Sequence, residues 1–397
     1  MRSKIFNISN LYLLIIVMLQ MQDVLYKGGE LISKATIGLF VLVSMAMAVF
    51  VNLRYKLPRY FHILNVFIIV LSIYGIFHML STEVDYVWAA DAHTSSYSYL
   101  LNIYMSLLPI YVFYFCTING EMTLGKIQLW GVVLLAACVA HFYAFFIDST
   151  DIVGVDEITN NLGYLFVGIL PLLVFYQNRT ILQYALLAVC MVMVVFSMKR
   201  GAVLVALCSL VPFVFLLWKE SSQIKRIVLC VLIFVFLVGA VYFIQYMLQT
   251  SEYFLTRIQD TMEGNSSLRD ELYSKLWNYF TDKATLSEQL FGGGANATVY
   301  IARNYAHNDW LELLTNQGVF GVLIYICYWW QFIKTRNECN GIPELVFVKG
   351  GLTMCIVASG LMTLFSMSYA GLPIGMTMAI GICLGQMTNY KLEHETA

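Results

Sequence analysis

Charge is scarce in this chain. Of its 397 residues only 12% are Asp, Glu, Lys or Arg, where an ordinary soluble domain carries about a quarter. The signs nearly cancel, to a net charge of −1, and no basic arm stands out, so nothing in the charge points to a nucleic-acid partner. No CxxC or HExxH pattern occurs, which argues against a thiolate or zincin metal site. There is no internal repeat and no Pro- or Ser-rich linker. The triple glycine Gly292-Gly293-Gly294 lacks the Gly-Lys-Ser/Thr that would make a nucleotide-binding loop, and reads as a turn. The first apolar block lacks a small-residue cleavage site and is expected to be a retained helix, not a removed signal peptide.

What fills the chain is apolar: 60% of it is hydrophobic. These residues fall in long blocks, and a helix needs roughly 20 of them in a row to span a bilayer. About twelve blocks lie near 6–25, 35–53, 60–80, 98–118, 126–147, 161–177, 180–198, 201–218, 226–248, 318–333, 346–366 and 372–390. Lys and Arg order them across a membrane. With Arg2 and Lys4 in the cytoplasm, alternate short loops hold Arg54, Lys56 and Arg59, then Lys126, then Arg179, then Lys219, Lys225 and Arg226, then Lys334 and Arg336, with Lys391 in the C-terminal tail. The opposite loops are acidic, with Glu83, Asp85 and Asp91 in one and Asp148, Asp151, Asp156 and Glu157 in another. Both ends are therefore expected in the cytoplasm. One pair breaks the pattern: Lys199 and Arg200 fall on the outer side. A violation of a rule kept elsewhere is a place to look for function. The nine cysteines lie almost all inside apolar blocks, with Cys339 in a cytoplasmic loop, so the outer face has none for a disulfide.

The one large polar segment, 249–308, falls on the outer side. At roughly 60 residues it is too long to be structureless in a compact protein, and short helices are expected in it. Leu268, Leu272, Leu276 and Tyr279 recur at helical spacing, with Tyr273, Trp277 and Phe280 widening the stripe. A helix so rich in aromatics is expected to lie on the membrane surface. Arg269 stands near its start. The chain returns to an apolar helix through Arg303-Asn304-Tyr305-Ala306-His307-Asn308-Asp309-Trp310-Leu311-Glu312. Asp309 and Glu312 have the spacing of a capping box, with Trp310, Leu311 and Leu314 starting the apolar face behind it. His307 and Asn308 then precede a helix N-terminus. Its bare N–H groups and partial positive charge suit a phosphate and lower an imidazole's affinity for a proton. A neutral His at such a place serves as a general base.

Each candidate has a plainer reading beside the functional one. Arg200 also reads as a snorkelling cation at a helix end, although misplaced charges in membrane proteins tend to be functional. Arg269 also reads as a solvated loop charge, and His307 as a polar capping residue. Gly318 and Gly321 read as sites of close helix packing. His62, His78 and His141, in or near apolar blocks, read as structural. The numerous Tyr and Trp anchor the chain at the interfaces.

Three segments, in order, resemble the O-antigen polymerase and ligase superfamily of bacterial membrane glycosyltransferases. Ser197-Met198-Lys199-Arg200-Gly201-Ala202 is similar to that family's Ser-x-x-Arg-Gly turn between two helices. Ser267-Leu268-Arg269 through Trp277, then Leu290-Phe291-Gly292-Gly293-Gly294, is similar to the Arg-to-Trp helix and Gly-rich turn of its large periplasmic loop. His307-Asn308-Asp309-Trp310-Leu311-Glu312-Leu313-Leu314, with Gly318-Val319-Phe320-Gly321, is similar to its His-Asn-x-x-Leu-x-x-Leu segment followed by Gly-x-x-Gly. The motifs cover 197–325, and the first 190 residues match only in being helical and apolar.

The resemblance implies an all-α, polytopic fold of the type C glycosyltransferase kind. It would be one membrane domain over 1–397, with the periplasmic loop at 249–308 carrying short helices. The site would face the periplasm from the bacterial inner membrane. The donor would be a glycan on undecaprenyl diphosphate, with no cofactor and no metal. Arg200 and Arg269 would hold the diphosphate, Lys199 and Asn308 would add contacts, and His307 would deprotonate the acceptor hydroxyl. Lys199 departs from the commonest pattern by adding a second cation beside Arg200. The expected reaction is polymerisation of lipid-linked repeat units of an O-antigen, capsule or exopolysaccharide, by an inverting displacement. The close alternative is an O-antigen ligase, whose acceptor is the lipid A core. From another class comes a transporter or flippase of such lipids. That reading expects ionisable residues at the midplane on interrupted helices in paired halves, whereas the charged candidates here cluster at the outer face. Expected partners are the lipid-linked donor, the glycan or lipid A core acceptor, membrane lipids and a chain-length regulator.

Overall fold

A long apolar segment in lipid has one way to satisfy its backbone N–H and C=O groups internally, which is to coil into a helix. The computed structural model follows that rule. It describes residues 7–25, 30–81, 96–152, 161–197, 199–220, 222–250 and 269–395, and among them there are helices and no strands. The protein is an all-α polytopic membrane protein. The loop bearing Glu83, Asp85 and Asp91, the acids Asp156 and Glu157, and Leu268 lie outside the described residues.

All twelve apolar blocks are helical. In chain order they give α1 (Ile8–Gln20), α2 (Glu30–Arg54), α3 (Arg59–Ser81), α4 (Ser96–Leu107), α5 (Pro109–Ile118), α6 (Leu124–Ile152), α7 (Gly163–Ile169), α8 (Thr180–Phe196), α9 (Arg200–Glu220) and α10 (Gln223–Thr250). The large polar segment then supplies α11 (Arg269–Asn278), α12 (Leu286–Phe291) and α13 (Ala297–Ala302), and the chain returns through α14 (Asp309–Asn337), α15 (Val346–Phe365) and α16 (Ile374–Glu395). The block at 98–118 is split between α4 and α5 at Pro109, which takes the first helical position, where its missing N–H leaves no bond unmade. α7 tightens after Ile169 into a 3₁₀ helix, Leu170–Tyr176.

Among the described residues, seven helices are long and apolar enough to cross a membrane. Ile8–Gln20, Gly163–Tyr176 and Thr180–Phe196 are apolar but shorter. At 1.5 Å per residue they reach only ~20–25 Å against a hydrocarbon core of about 30 Å. Every apolar block is thus matched by a helix, three of them shorter than a full span. α10 and α16, of 28 and 22 residues, complete the set.

α16 is the central post. Met376, Met378, Ala379, Ile380, Ile382, Cys383, Leu384 and Met387 are all fully buried. Its small residues let backbones meet: a Cβ at Gly381 would lie 2.6 Å from the Ile110 carbonyl oxygen of α5, and one at Gly375 would lie 2.8 Å from that of Gly168 in α7. α14 leans on α3 through aromatics. The Tyr60 and Tyr328 hydroxyls are 3.0 Å apart, and Phe67 stacks on Tyr325 and Tyr328.

The helices of this polar segment have a core of their own. Leu272 and Leu276 of α11 pack with Ala306, flanked by Tyr273, Ile301, Ala302 and Leu311. The leucine face thus covers the segment that leads back into the membrane. This corrects the expectation that the whole stripe lies on the bilayer surface: only its aromatic edge faces outward, with Trp277 53% exposed beside Phe280.

Candidate active site

The start of α14 sets the geometry. Its N-cap is Asn308, one residue before the predicted one, and the Asn308 Oδ1 accepts the N–H groups of Trp310 (3.0 Å) and Leu311 (3.1 Å). The Asn308 side chain also bonds the Tyr273 hydroxyl of α11. These bonds make Asn308 the cap of α14. Asp309 and Glu312 form no capping box; both point inward and are buried. Asp309 accepts the Tyr325 hydroxyl at 2.6 Å and the Ser368 N–H at 2.9 Å, tying α14 to the connection between α15 and α16. Glu312 accepts Thr298 Oγ1 at 2.6 Å, Asn316 Nδ2 at 2.9 Å and the Ala306 N–H at 2.7 Å. That last bond fixes the Tyr305–Ala306 peptide, one residue before His307. The observed capping box is Thr285 with Glu288, at the start of α12.

The two glycine motifs meet as a clasp. Gly318 has φ 67° and ψ −165°, which interrupts α14. The carbonyls released by that break are used: Gly293 N–H donates to Thr315 O (2.9 Å) and Gly294 N–H to Asn316 O (3.0 Å). No side chain fits between. A Cβ at Gly318 would lie 2.5 Å from the Leu290 carbonyl carbon, and one at Gly292, where φ is 80°, would lie 2.2 Å from Asn316 O. Gly318 is therefore a helix break locked against the Leu290–Gly294 turn, not the helix-packing position the sequence suggested. Irregular backbone of this kind is tolerated at membrane depth where protein buries it.

The cations arrive from two other segments. In the turn before α9, Ser197 Oγ donates to Val194 O at 2.6 Å and accepts the Lys199 N–H at 3.4 Å. Gly201 seats this turn on α7: a Cβ there would lie 2.4 Å from the Tyr164 hydroxyl. Arg269 opens α11, and its Nη2 donates to Phe365 O at the end of α15 (3.4 Å). His307 is half-buried with φ 51°, a left-handed conformation uncommon for a residue with a side chain. Burial first, then the charges of Arg269 and Lys199, push its imidazole down to about 4. A neutral His was expected, but from the helix N-terminus; desolvation and two cations are the cause. The structure thus joins Lys199, Arg269 and His307 in one electrostatic group. Arg200 begins α9 beside Lys199 with its side chain exposed. His141, by contrast, is structural, its Nδ1 2.7 Å from Gln20 O.

A cavity of about 360 Å³ opens beside Arg269 and His307. One wall is the face of α11 with Glu271, Leu272 and Lys275; the other is the end of α13 with Ala302, Arg303 and Asn304. Lys275 and Arg303 had no role assigned from sequence. A lysine one helical face away from Arg269 and an arginine heading the polar run were the available signals.

Residues 184–326 match a family model described as O-antigen ligase. This segment is similar to that family. The match takes in the Lys199–Arg200 turn, Arg269, the glycine clasp and His307, so the residues the fold gathers all fall within the matched segment. No curated protein matches the chain. The apolar helices make this a multi-pass membrane protein, and the matched segment supports activity of the O-antigen ligase and polymerase type in general.

Proposed function

We propose that the protein polymerises undecaprenyl-diphosphate-linked oligosaccharide repeats at the periplasmic face of the inner membrane, with both termini in the cytoplasm. The observation that supports this reading is the meeting of Lys199, Arg269 and a neutral His307 from three separate segments. His307 takes the proton from an acceptor sugar hydroxyl as that oxygen bonds the donor's anomeric carbon. The bond from that carbon to the diphosphate breaks, and the lipid diphosphate leaves with the electron pair. Arg269, Lys199 and Arg200 stabilise its growing charge, and arginine does so through paired N–H groups. Such stabilisation is often the largest catalytic contribution. A single displacement inverts the linkage; NMR of the product that showed a retained configuration would sink this step. No metal or cofactor takes part in the proposed reaction.

Turnover of a purified lipid-diphosphate glycan tests the reading. Wild type is expected to convert it, with Arg269→Ala slowed ~100- to 1000-fold, the usual loss for one such contact. Normal turnover by both Arg269→Ala and His307→Ala would remove these residues from the mechanism, and lipid movement without bond formation would make the protein a flippase. A second reading keeps the donor chemistry and changes the acceptor to the lipid A core, as the description of the matched family favours. Deleting the gene separates the two. Loss of the long glycan ladder with one repeat retained means polymerase, and loss of all glycan from the core means ligase. A chain-length regulator is a partner of the polymerase alone.

A further inference from the structure

The cavity beside His307 has a second set of cations on the side away from the proposed diphosphate group. Its lining takes in Arg269 and His307 but, among the described residues, neither Lys199 nor Arg200 nor the Phe365 carbonyl. It lies on the Glu271, Lys275 and Arg303 side of Arg269 and His307. Lys275 stands six residues beyond Arg269 on α11, ~9 Å further along the axis. Arg303 comes from the opposite wall. It closes α13 with φ 60°, and His307 follows with φ 51°. Two left-handed side-chain-bearing residues so close together are a costly arrangement, kept only where surrounding bonds fix it. Here Glu312 holds the Ala306 N–H and Asn308 caps α14, and the arc from 303 to 307 wraps one edge of the cavity. Three cations, Arg269, Lys275 and Arg303, face one anion, Glu271. The volume of about 360 Å³ falls in the ~300–1,000 Å³ range of small-molecule sites.

We propose that this cavity is a glycan subsite for an anionic sugar, carrying a carboxylate or a phosphate, next to the reacting unit. Lys275 and Arg303 hold the anionic group, while Glu271 and the Asn304 amide meet hydroxyls. The proposal rests on the reading that His307 and Arg269 mark the reacting centre, and it assigns the enzyme to acidic glycans.

The test uses full-length protein in lipid nanodiscs and a Lys275→Gln/Arg303→Gln double variant. Both side chains are exposed, so the fold should survive, which thermal unfolding checks. Four probes are titrated: cellobiose, a glucuronate-bearing disaccharide, glucose 6-phosphate and inorganic diphosphate. Wild type should bind one of the two anionic sugars ~10-fold more tightly than cellobiose, and the double variant should lose that preference while holding diphosphate as before. Which anionic sugar binds tells carboxylate from phosphate. Equal binding of charged and neutral sugars by wild type, or an unchanged preference in the double variant, overturns the subsite. Loss of diphosphate binding in the double variant overturns it differently, by assigning the cavity to the lipid carrier. Failure of wild type to bind diphosphate, with the sugar preference intact, removes the donor reading instead.

Discussion

At the scale of single residues, His307 carries the sharpest prediction. Its pKa of about 4 reflects burial beside two cations. In the free enzyme the imidazole is neutral down to mildly acid pH, so the acid limb of kcat/KM should fall near 4 and not near the ordinary 6.5. A bound diphosphate offsets the charges of Arg269 and Lys199, which raises the imidazole's proton affinity. The acid limb of kcat, set by the enzyme with donor in place, should therefore lie at higher pH than that of kcat/KM. Lys199→Gln removes one of the two cations and should move the kcat/KM limb upward. A limb that stays put in this variant would separate Lys199 from His307. Replacing the imidazole itself in His307→Ala should cost ~10²- to 10⁴-fold in rate, the usual contribution of a general base. Glu312 acts one step back. In Glu312→Gln one of the two accepting oxygens becomes an NH₂, which donates and cannot accept, so one bond among Thr298, Asn316 and the Ala306 N–H is lost. Leaving a buried group unsatisfied costs about 1–3 kcal/mol. We expect a lower thermal midpoint together with a fall in kcat at a nearly unchanged KM, because the loosened peptide lies one residue before His307.

At the scale of elements, α14 shows what local sequence conveys and what it does not. The helix start was legible, because a short polar run before an apolar face has few other meanings. Its register was off by one, because Asp309 and Glu312 are claimed by Tyr325, Ser368 and Thr298, partners that no local pattern reveals. The leucines of α11 were placed on a helix correctly, yet which surface they cover depended on Ala306 and Leu311. The glycines were visible as motifs, but their mutual clasp needs two segments at once. That clasp gives a test. Gly318→Ala forces a side chain into a left-handed, sterically closed position, with a cost of order 1–3 kcal/mol from the backbone alone. Gly125→Ala, in α6 with nothing within 4 Å of the added carbon, should be neutral or slightly stabilising. Detergent-solubilised Gly318→Ala should unfold at lower temperature and be cut faster by protease within 279–308, while Gly125→Ala behaves as wild type. Equal stability of the two variants would mean the polar segment does not depend on the break in α14.

At the scale of the whole molecule, the sequence was most readable where lipid leaves the chain no choice. Every apolar block became a helix because no other described segment satisfies its backbone in hydrocarbon. Span lengths were less readable, since α1, α7 and α8 pack as short apolar helices within the bundle. Orientation rests on charge bias, and it decides whether the proposed site faces the periplasm. Six of the nine cysteines are buried; Cys208 is partly exposed, and Cys230 and Cys327 are exposed. Replacing those three by Ala leaves a background in which one new cysteine can be read. Lys275→Cys on α11 and Glu344→Cys between α14 and α15 both sit at exposed positions, and α14 separates them as a 29-residue helix, long enough to cross the bilayer. In intact cells whose outer membrane has been opened, a membrane-impermeant maleimide should label Lys275→Cys and spare Glu344→Cys until the inner membrane is permeabilised. The reverse pattern would turn the cations and His307 toward the cytoplasm. It would also end the reading that they act on lipid-linked glycans at the periplasmic face, however well the residues themselves are arranged.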